Sequence, residues 1–457
     1  MAAHTVTVEK TIQTLLEEKK YQTLKDILTT MESADIAAVF EELEESSMPL
    51  LFRLLPKETA AETFAELDPE WQELLIRGFS DRELREVVNE LYVDDAADLV
   101  EEMPANVVKR ILAQANPDMR REINEILRYP ENSAGSIMTT EYVSLRPSMT
   151  VAEAITRIRR TGVDKETIYT CYVTDERKLL GTVSVKDLLL CADDDAKVSS
   201  IMDENVVSAN TMTDQEEVAK MLSKYNFLAI PIVDNDGRMV GIVTFDDAMD
   251  VIVEETTEDI EKMAGMLPSE KSYLRSNSFD LFRHRIPWLA LLMVSATFTG
   301  IIITRCEDAL KAHVLLTAFI PMLMDTGGNS GSQASVTIIR ALSLGELEFA
   351  DAPRVIWKEI KTAVLCGVAL AALCFAKIML FDRLVLGSNI DTVTAFVVCF
   401  TMALTVLIAK VVGCTLPMAA KRLGFDPAVM ASPFITTIVD ALSLLVYFGI
   451  ASALLPA

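Results

Sequence analysis

Five apolar stretches near the C-terminus constrain this chain more than any other feature. They run about Ile286–Thr304, Val314–Met324 continuing to Ile339, Thr362–Phe381, Val393–Val412 and Pro433–Leu455. A bilayer core offers the backbone no hydrogen-bond partners, so a segment crossing it must satisfy its own amides, and roughly 20 apolar residues do so as a helix. An α-helical transmembrane domain with five spans is predicted. The last stretch carries a carboxylate, Asp440, seven residues inside Pro433, or about 10 Å along a helix. A charge there costs at least about 2.5–3.5 kcal/mol and requires a partner, a cavity or an ion path. Lys377 and Lys410 are available as partners; an ion path is the reading the neighbouring stretches favour.

The second stretch contains Pro321-Met-Leu-Met-Asp325-Thr-Gly-Gly-Asn329-Ser-Gly-Ser-Gln333, too polar and glycine-rich for a helix facing lipid. Irregular backbone at membrane depth is tolerated where it is buried in protein or lines water, and broken helices make ion sites. A tight helix crossing explains the glycines but not Asp325, Asn329 and Gln333. An interrupted span is expected, with Asp325 and Asn329 as candidate cation ligands. Cys414–Ala428 reads as a loop that sets Asp426 at the cytoplasmic entrance of the last span, as a ligand or as the cap before Pro427.

Basic residues near the span ends give the orientation. With the soluble part inside, Arg275, Arg283, Arg285, Arg340, Arg354, Lys358, Lys361, Lys421 and Arg422 are cytoplasmic and Arg305, Lys311 and Arg383 external. The expectation is a multi-pass plasma (cell inner) membrane protein, N-terminus in and C-terminus out. The opening Met1–Lys20 is polar and lacks the apolar core of a signal peptide.

The net charge of −25 is unevenly spread. From Ile286 onward 11 Lys+Arg balance 11 Asp+Glu, so the entire acidic excess lies in residues 1–285. Such acidity would repel nucleic-acid phosphates. The seven cysteines form no CxxC pair and the three histidines are scattered, which argues against zinc.

Residues 1–130 read as an acidic, all-α superhelical domain. Turn signals at Asp68-Pro-Glu, Ser80-Asp-Arg, Val93-Asp-Asp and Asn116-Pro-Asp separate apolar residues at helical spacing, as in a stack of helix hairpins. Asp94, Asp95 and Asp98 open one helix. They complement its dipole, and three together also suit a divalent cation.

Residues 131–253 contain a duplication, about 137–200 and 201–253. Ile137-Met-Thr-Thr-Glu-Tyr-Val-Ser144 realigns with Ile201-Met-Asp-Glu-Asn-Val-Val-Ser208, and Leu180-Gly-Thr-Val-Ser-Val-Lys-Asp187 with Val240-Gly-Ile-Val-Thr-Phe-Asp-Asp247. Each copy reads strand, helix, two strands, helix. The pair resembles a tandem CBS module, an α/β fold whose cleft holds an adenine nucleotide in many relatives. The resemblance places Thr244 and Asp247 against the ribose; a purely structural pair is the alternative. At its end, Asp247, Asp250 and Glu254 share a helix face with Glu258 one turn on. Stacked like charges destabilise a helix unless neutralised, and carboxylates without Cys or His suit hard cations such as Mg²⁺. A connecting helix, from about Glu254 to Met266 within a 254–282 linker, leads to the membrane domain at 283–457.

With Thr326-Gly-Gly-Asn-Ser-Gly-Ser-Gln333, Leu423-Gly-Phe-Asp-Pro-Ala428 and Pro433-Phe-Ile-Thr-Thr-Ile-Val-Asp440, this domain order closely resembles the MgtE magnesium channels and transporters. The resemblance implies a homodimer with a pore between the membrane domains and Asp440 as the pore carboxylate for hydrated Mg²⁺. It implies that cytosolic Mg²⁺ closes the pore through the connecting (plug) helix. Ligands implied for that Mg²⁺ are Asp94 or Asp95, Asp98, Asp214, Glu216, Asp247, Asp250, Glu255, Glu258 and Asp259, with ATP as a possible ligand of the CBS cleft. Asn226 and Ser432 depart from the pattern of a relative with Asp and Asn there. No nucleophile–base pair or phosphate loop suggests an enzyme. The competing readings are a CBS-regulated transporter of another ion, including an anion channel, and a membrane-anchored nucleotide or Mg²⁺ sensor.

Overall fold

The computed structural model describes residues 2–269, 273, 276–306, 314–383, 385, 390–430 and 432–455. Arg275 and Lys311, used above for orientation, lie outside the described residues, as does the side chain of Ser432. The chain divides into two compact units, Met1–Val253 and Glu254–Ala457.

The first unit opens with α1 Ala2–Glu17, α2 Tyr21–Leu28, α3 Ser33–Glu41, α4 Met48–Phe52 and α5 Lys57–Ala65. It continues with α6 Pro69–Gly78, α7 Asp81–Val88, α8 Val93–Glu102, α9 Ala105–Gln114 and α10 Pro117–Ile126. Each expected turn signal opens a helix. Ser80 and Glu83 form a reciprocal capping box on α7, and Asn116 caps α10 ahead of Pro117, which satisfies amides that have no partner within the helix. Packing runs α3 on α5, α5 on α7, α7 on α9 and α8 on α10. That next-but-one pattern is the predicted stack of hairpins. Its centre holds Phe52, Phe64 and Phe79, with ring centroids 5.2–6.4 Å apart.

The duplicated region folds as β1 Tyr142–Leu145, α11 Val151–Thr161, β2 Thr167–Asp175, β3 Lys178–Ser184 and α12 Val185–Leu190. The second copy runs α13 Val198–Ile201, β4 Ala209–Asn210, α14 Gln215–Tyr225, β5 Ala229–Val233, β6 Met239–Thr244 and α15 Phe245–Met263. Each sheet has a parallel pair followed by an antiparallel pair. The repeated motifs meet across the copies. Thr182 bridges to Asp203 and Thr139 to Ile242, so the Ile-Met segment opening each copy adds to the sheet of the other. Gly181 and Gly241 permit it: a Cβ would lie 2.8 Å from the Asp203 carbonyl oxygen at one and 2.6 Å from that of Thr139 at the other. Asn226 takes the left-handed conformation (φ 55°) ending α14, a conformation Asn tolerates better than most residues.

The helix read through Asp247, Asp250, Glu254 and Glu258 and the connecting helix expected from Glu254 are one element, which ends at Met263. α15 runs without interruption from the second CBS copy into the connecting segment, because Phe245–Met263 holds neither Gly nor Pro.

The second unit contains α16 Ser278–Arg305, α17 Ile320–Ser343, α18 Ala352–Lys377, α19 Thr392–Arg422 and α20 Ser432–Leu454. Among the described residues, four helical segments are long and apolar enough to cross a membrane: Ser278–Arg305, Phe349–Asp382, Thr392–Arg422 and Pro427–Leu454. The fifth expected span, α17, has 24 residues, about 36 Å at 1.5 Å each.

Two expectations are corrected here. The second span is not interrupted: α17 is a continuous α-helix through Thr326–Gln333. Its glycines are buried at crossings with α19 and α20, where a Cβ on Gly327 would meet Thr405 at 2.6 Å and one on Gly331 would meet Ile435 at 2.8 Å. Close helix packing, not a bend, uses these glycines. Nor is Cys414–Arg422 a loop, since α19 continues through Pro417 to Arg422. Cys414 and Met418 are buried against Ile338, Leu342 and Val355, and that packing outweighs the helix-breaking tendency of proline.

Candidate functional site

On α17 the small residues face inward and the polar ones outward. Gly327, Gly328, Ser330, Gly331, Ala334 and Ser335 are buried, whereas Asp325, Asn329 and Gln333 are exposed one turn apart. A period of four residues aligns these three along one stripe, and the Asn329 amide donates to Asp325 Oδ1 at 3.0 Å. Asp440 lies half-buried on α20, close enough to Asp325 for the two charges to act on one another. The proposed lysine partners are occupied elsewhere. Lys377 Nζ pairs with Asp382 at 2.7 Å and Lys410 Nζ with Glu359 at 3.8 Å. Two carboxylates and an amide therefore lie on adjoining helices, and among the described contacts no basic residue pairs with them.

Asp426 takes the capping role that was one of its two expected readings, and it has a basic partner besides. Its Oδ1 accepts from the Ala428 amide at 2.7 Å, capping the turn Pro427–Met430, and its Oδ2 accepts from Lys262 at 2.7 Å. Lys262 also reaches Glu258 at 2.7 Å. Burial alone would lower the Lys262 pKa; the hydrogen bonds to Asp426 and Glu258 overcome it and hold the ammonium above its ordinary value. One turn before Lys262, Asp259 accepts from Ser343 at 3.2 Å. The lysine was legible as an i,i+4 partner of Glu258, but nothing in the sequence linked it to a residue 164 positions away.

The second cluster lies in the first unit. Asp94, Asp95 and Asp98 on α8 share one electrostatic neighbourhood with Asp247 on α15. Glu166, just before β2, and Asp246 join them; no local pattern singles out Glu166, nor Glu66, which senses Asp250 and Asp246. Burial, reinforced by neighbouring carboxylates, pushes Asp95 up to about 7 and Glu166 to about 8, and raises Asp94 as well. Asp247 rises to about 6 despite its hydrogen bond from Thr244, 2.5 Å long. Asp94 Oδ1 and Glu166 Oε2 are buried without a hydrogen-bond partner. Uncompensated buried carboxylate oxygens are costly, and a cation would relieve them. Among the described residues no three Asp, Glu, His or Cys side chains converge as a direct metal shell. Mg²⁺ tolerates that, because it keeps several of its waters.

Asp214 and Glu216 have local roles: Asp214 accepts from the Glu216 amide at 2.9 Å to cap α14, and Glu216 pairs with Lys220 at 2.6 Å. Asp250 is exposed and Glu255 half-buried.

Residues 320–450 match the divalent cation transporter domain of MgtE, 31–132 its intracellular N domain, and 134–193 and 198–254 the CBS domain. The magnesium transporter MgtE of Thermus thermophilus is 37% identical over 451 residues, which cover 98% of both chains. The chain belongs to the MgtE family. The MgtE of Bacillus subtilis is 33% identical, covering 96% of this chain and 95% of its own. Among solved structures, the cytosolic domain of the Mg²⁺ channel MgtE in complex with ATP is 39% identical, with a TM-score of 0.51. It covers 53% of this chain and 99% of that domain.

Proposed function

We propose that this MgtE-family protein imports Mg²⁺ through a pore between two copies of the chain and that cytosolic Mg²⁺ closes it. The observation carrying this reading is the exposed stripe Asp325–Asn329–Gln333 beside half-buried Asp440. Lipid cannot face such a stripe, so it calls for water and a second copy. None of the described residues of α16 is buried within the single chain, which leaves further surface for a partner. An isologous dimer brings two Asp440 side chains to one axis. Mg²⁺ sheds water reluctantly, so carboxylates that touch its hydration shell suit rapid passage. The membrane potential drives a divalent ion inward with about 4.6 kcal/mol per 100 mV, with the N-terminus cytoplasmic.

Such a drive calls for a brake. Asp94, Asp95, Asp98, Glu166 and Asp247 would hold regulatory Mg²⁺, whose charge offsets their mutual repulsion when bound. Without that offset the same carboxylates oppose the packing of α8 against the module that carries α15. The equilibrium then shifts through differential binding. Adenine nucleotide is a further proposed ligand, by analogy with the ATP complex of the relative. A ribose contact at Thr244 and Asp247 would cost their mutual hydrogen bond.

The test is Mg²⁺ uptake into liposomes carrying the purified protein. Wild type should take up Mg²⁺, and Asp440→Ala should fall to the level of empty liposomes. Equal uptake in both would refute Asp440 as the pore carboxylate, and chloride flux without Mg²⁺ flux would establish the anion channel instead.

A further inference from the structure

The geometry assigns Lys262 a role as a tethered cation that latches the connecting helix to the cytoplasmic mouth of the last span. We infer that this latch favours the closed pore independently of bound Mg²⁺; the inference rests on the Mg²⁺-conducting reading above.

Lys262 lies in the last turn of α15, with only 21% of its side chain exposed. Its ammonium spans Glu258 on its own helix and Asp426 just before the turn Pro427–Met430, each at 2.7 Å. The Asp426 end is rigid, because Oδ1 is fixed by the Ala428 amide. Both oxygens of Asp426 are thus committed, one to shaping the entrance and one to the lysine. The contact is reinforced on either side. Met263 packs with Ile339 and Ala428, and Asp259 accepts from Ser343 near the end of α17. Directly after the helix, Gly265 takes φ +71° in close approach to Trp288 of α16, with Pro433 of α20 nearby. The end of the connecting helix therefore touches α16, α17 and the entrance to α20, and the ion pair at its centre is partly shielded from solvent.

The charges explain why a lysine belongs there. Without it, Glu258 and Asp426 would face each other as two carboxylates and push the helix from the mouth. A covalently carried ammonium supplies the neutralising charge at a high effective concentration, whatever the cytosolic cation level. Lys262 is a positioning residue: it touches no transported ion but sets how readily the helix stays docked.

The full-length protein is examined in inside-out patches, with Mg²⁺ current read against bath Mg²⁺. Lys262→Met should raise the Mg²⁺ concentration that halves the current by about fivefold or more, and the current in a Mg²⁺-free bath should rise or already stand at its maximum, never fall. Lys262→Arg should restore wild-type closure. Asp426→Asn should shift closure in the same direction, and Lys262→Met should add little to it. Should Lys262→Met fail to assemble, Asp426→Asn tests the same contact from the other side. An unchanged or lowered closing concentration in Lys262→Met overturns the latch while leaving the conduction pathway standing; a lowered one would mean that the lysine competes with Mg²⁺. A wild type that passes no Mg²⁺ overturns the function and the latch together.

Discussion

Asp440 and the buried acids of the first unit show how single carboxylates carry this account. Asp440 was legible from the sequence because one charge among apolar residues needs a reason. Asp94 and Asp95 were legible as acids at a helix start that, with Asp98, suit a divalent cation; that they share a neighbourhood with Asp247 follows from packing residues some 150 positions apart, which no local pattern encodes. Glu166 carried no signal at all. Their titration is testable. In the folded protein without Mg²⁺, Asp247, Asp95 and Glu166 sit at about 6, 7 and 8, against roughly 3.9–4.3 in an unfolded chain. Raised values mean that the folded state binds more protons, so stability is favoured at low pH and lost as pH rises through this range. Thermal melting of the Mg²⁺-free protein should fall from about pH 4 to about pH 8, the span between the unfolded and folded values, and added Mg²⁺ should recover most at the alkaline end. A melting point flat across that range would contradict the burial of these groups.

Elements show where reading the sequence by composition misleads. Thr326–Gln333 looked like a break because its glycines and polar residues were taken together. In three dimensions they part to opposite sides of one helix, glycines into crossings and Asp325, Asn329 and Gln333 to the outside. Cys414–Arg422 misled for the related reason that Pro417 outweighed its apolar neighbours in the local reading. The CBS repeat was read correctly because its motifs pair with one another across the copies, so the repeat is itself a record of contacts. The crossing gives a sharp mutation test. A Cβ on Gly413 would strike the Gly331 carbonyl oxygen, whereas one on Gly449 meets nothing within 4 Å. Gly413→Ala should therefore destabilise the membrane unit by about 1–3 kcal/mol, as overpacking does, seen as a lower melting temperature and reduced Mg²⁺ uptake. Gly449→Ala should match wild type in both.

Across the whole molecule the division of charge is the organising fact. All of the net −25 lies in residues 1–285, and the membrane part is neutral. The half that the ion would cross carries few carboxylates, and the half that would sense it carries many. This asymmetry, the duplicated module and the spans could all be read from the chain, whereas the bridge from Lys262 to Asp426 could not, because it depends on how α15 meets the turn before α20. The measurement that tests the account most directly is closure by cytosolic Mg²⁺ in wild type and Asp247→Ala, recorded as Mg²⁺ current in inside-out patches. Rising bath Mg²⁺ should shut the wild type, and Asp247→Ala should keep conducting at concentrations that close it. Identical closing curves for the two proteins would contradict the account.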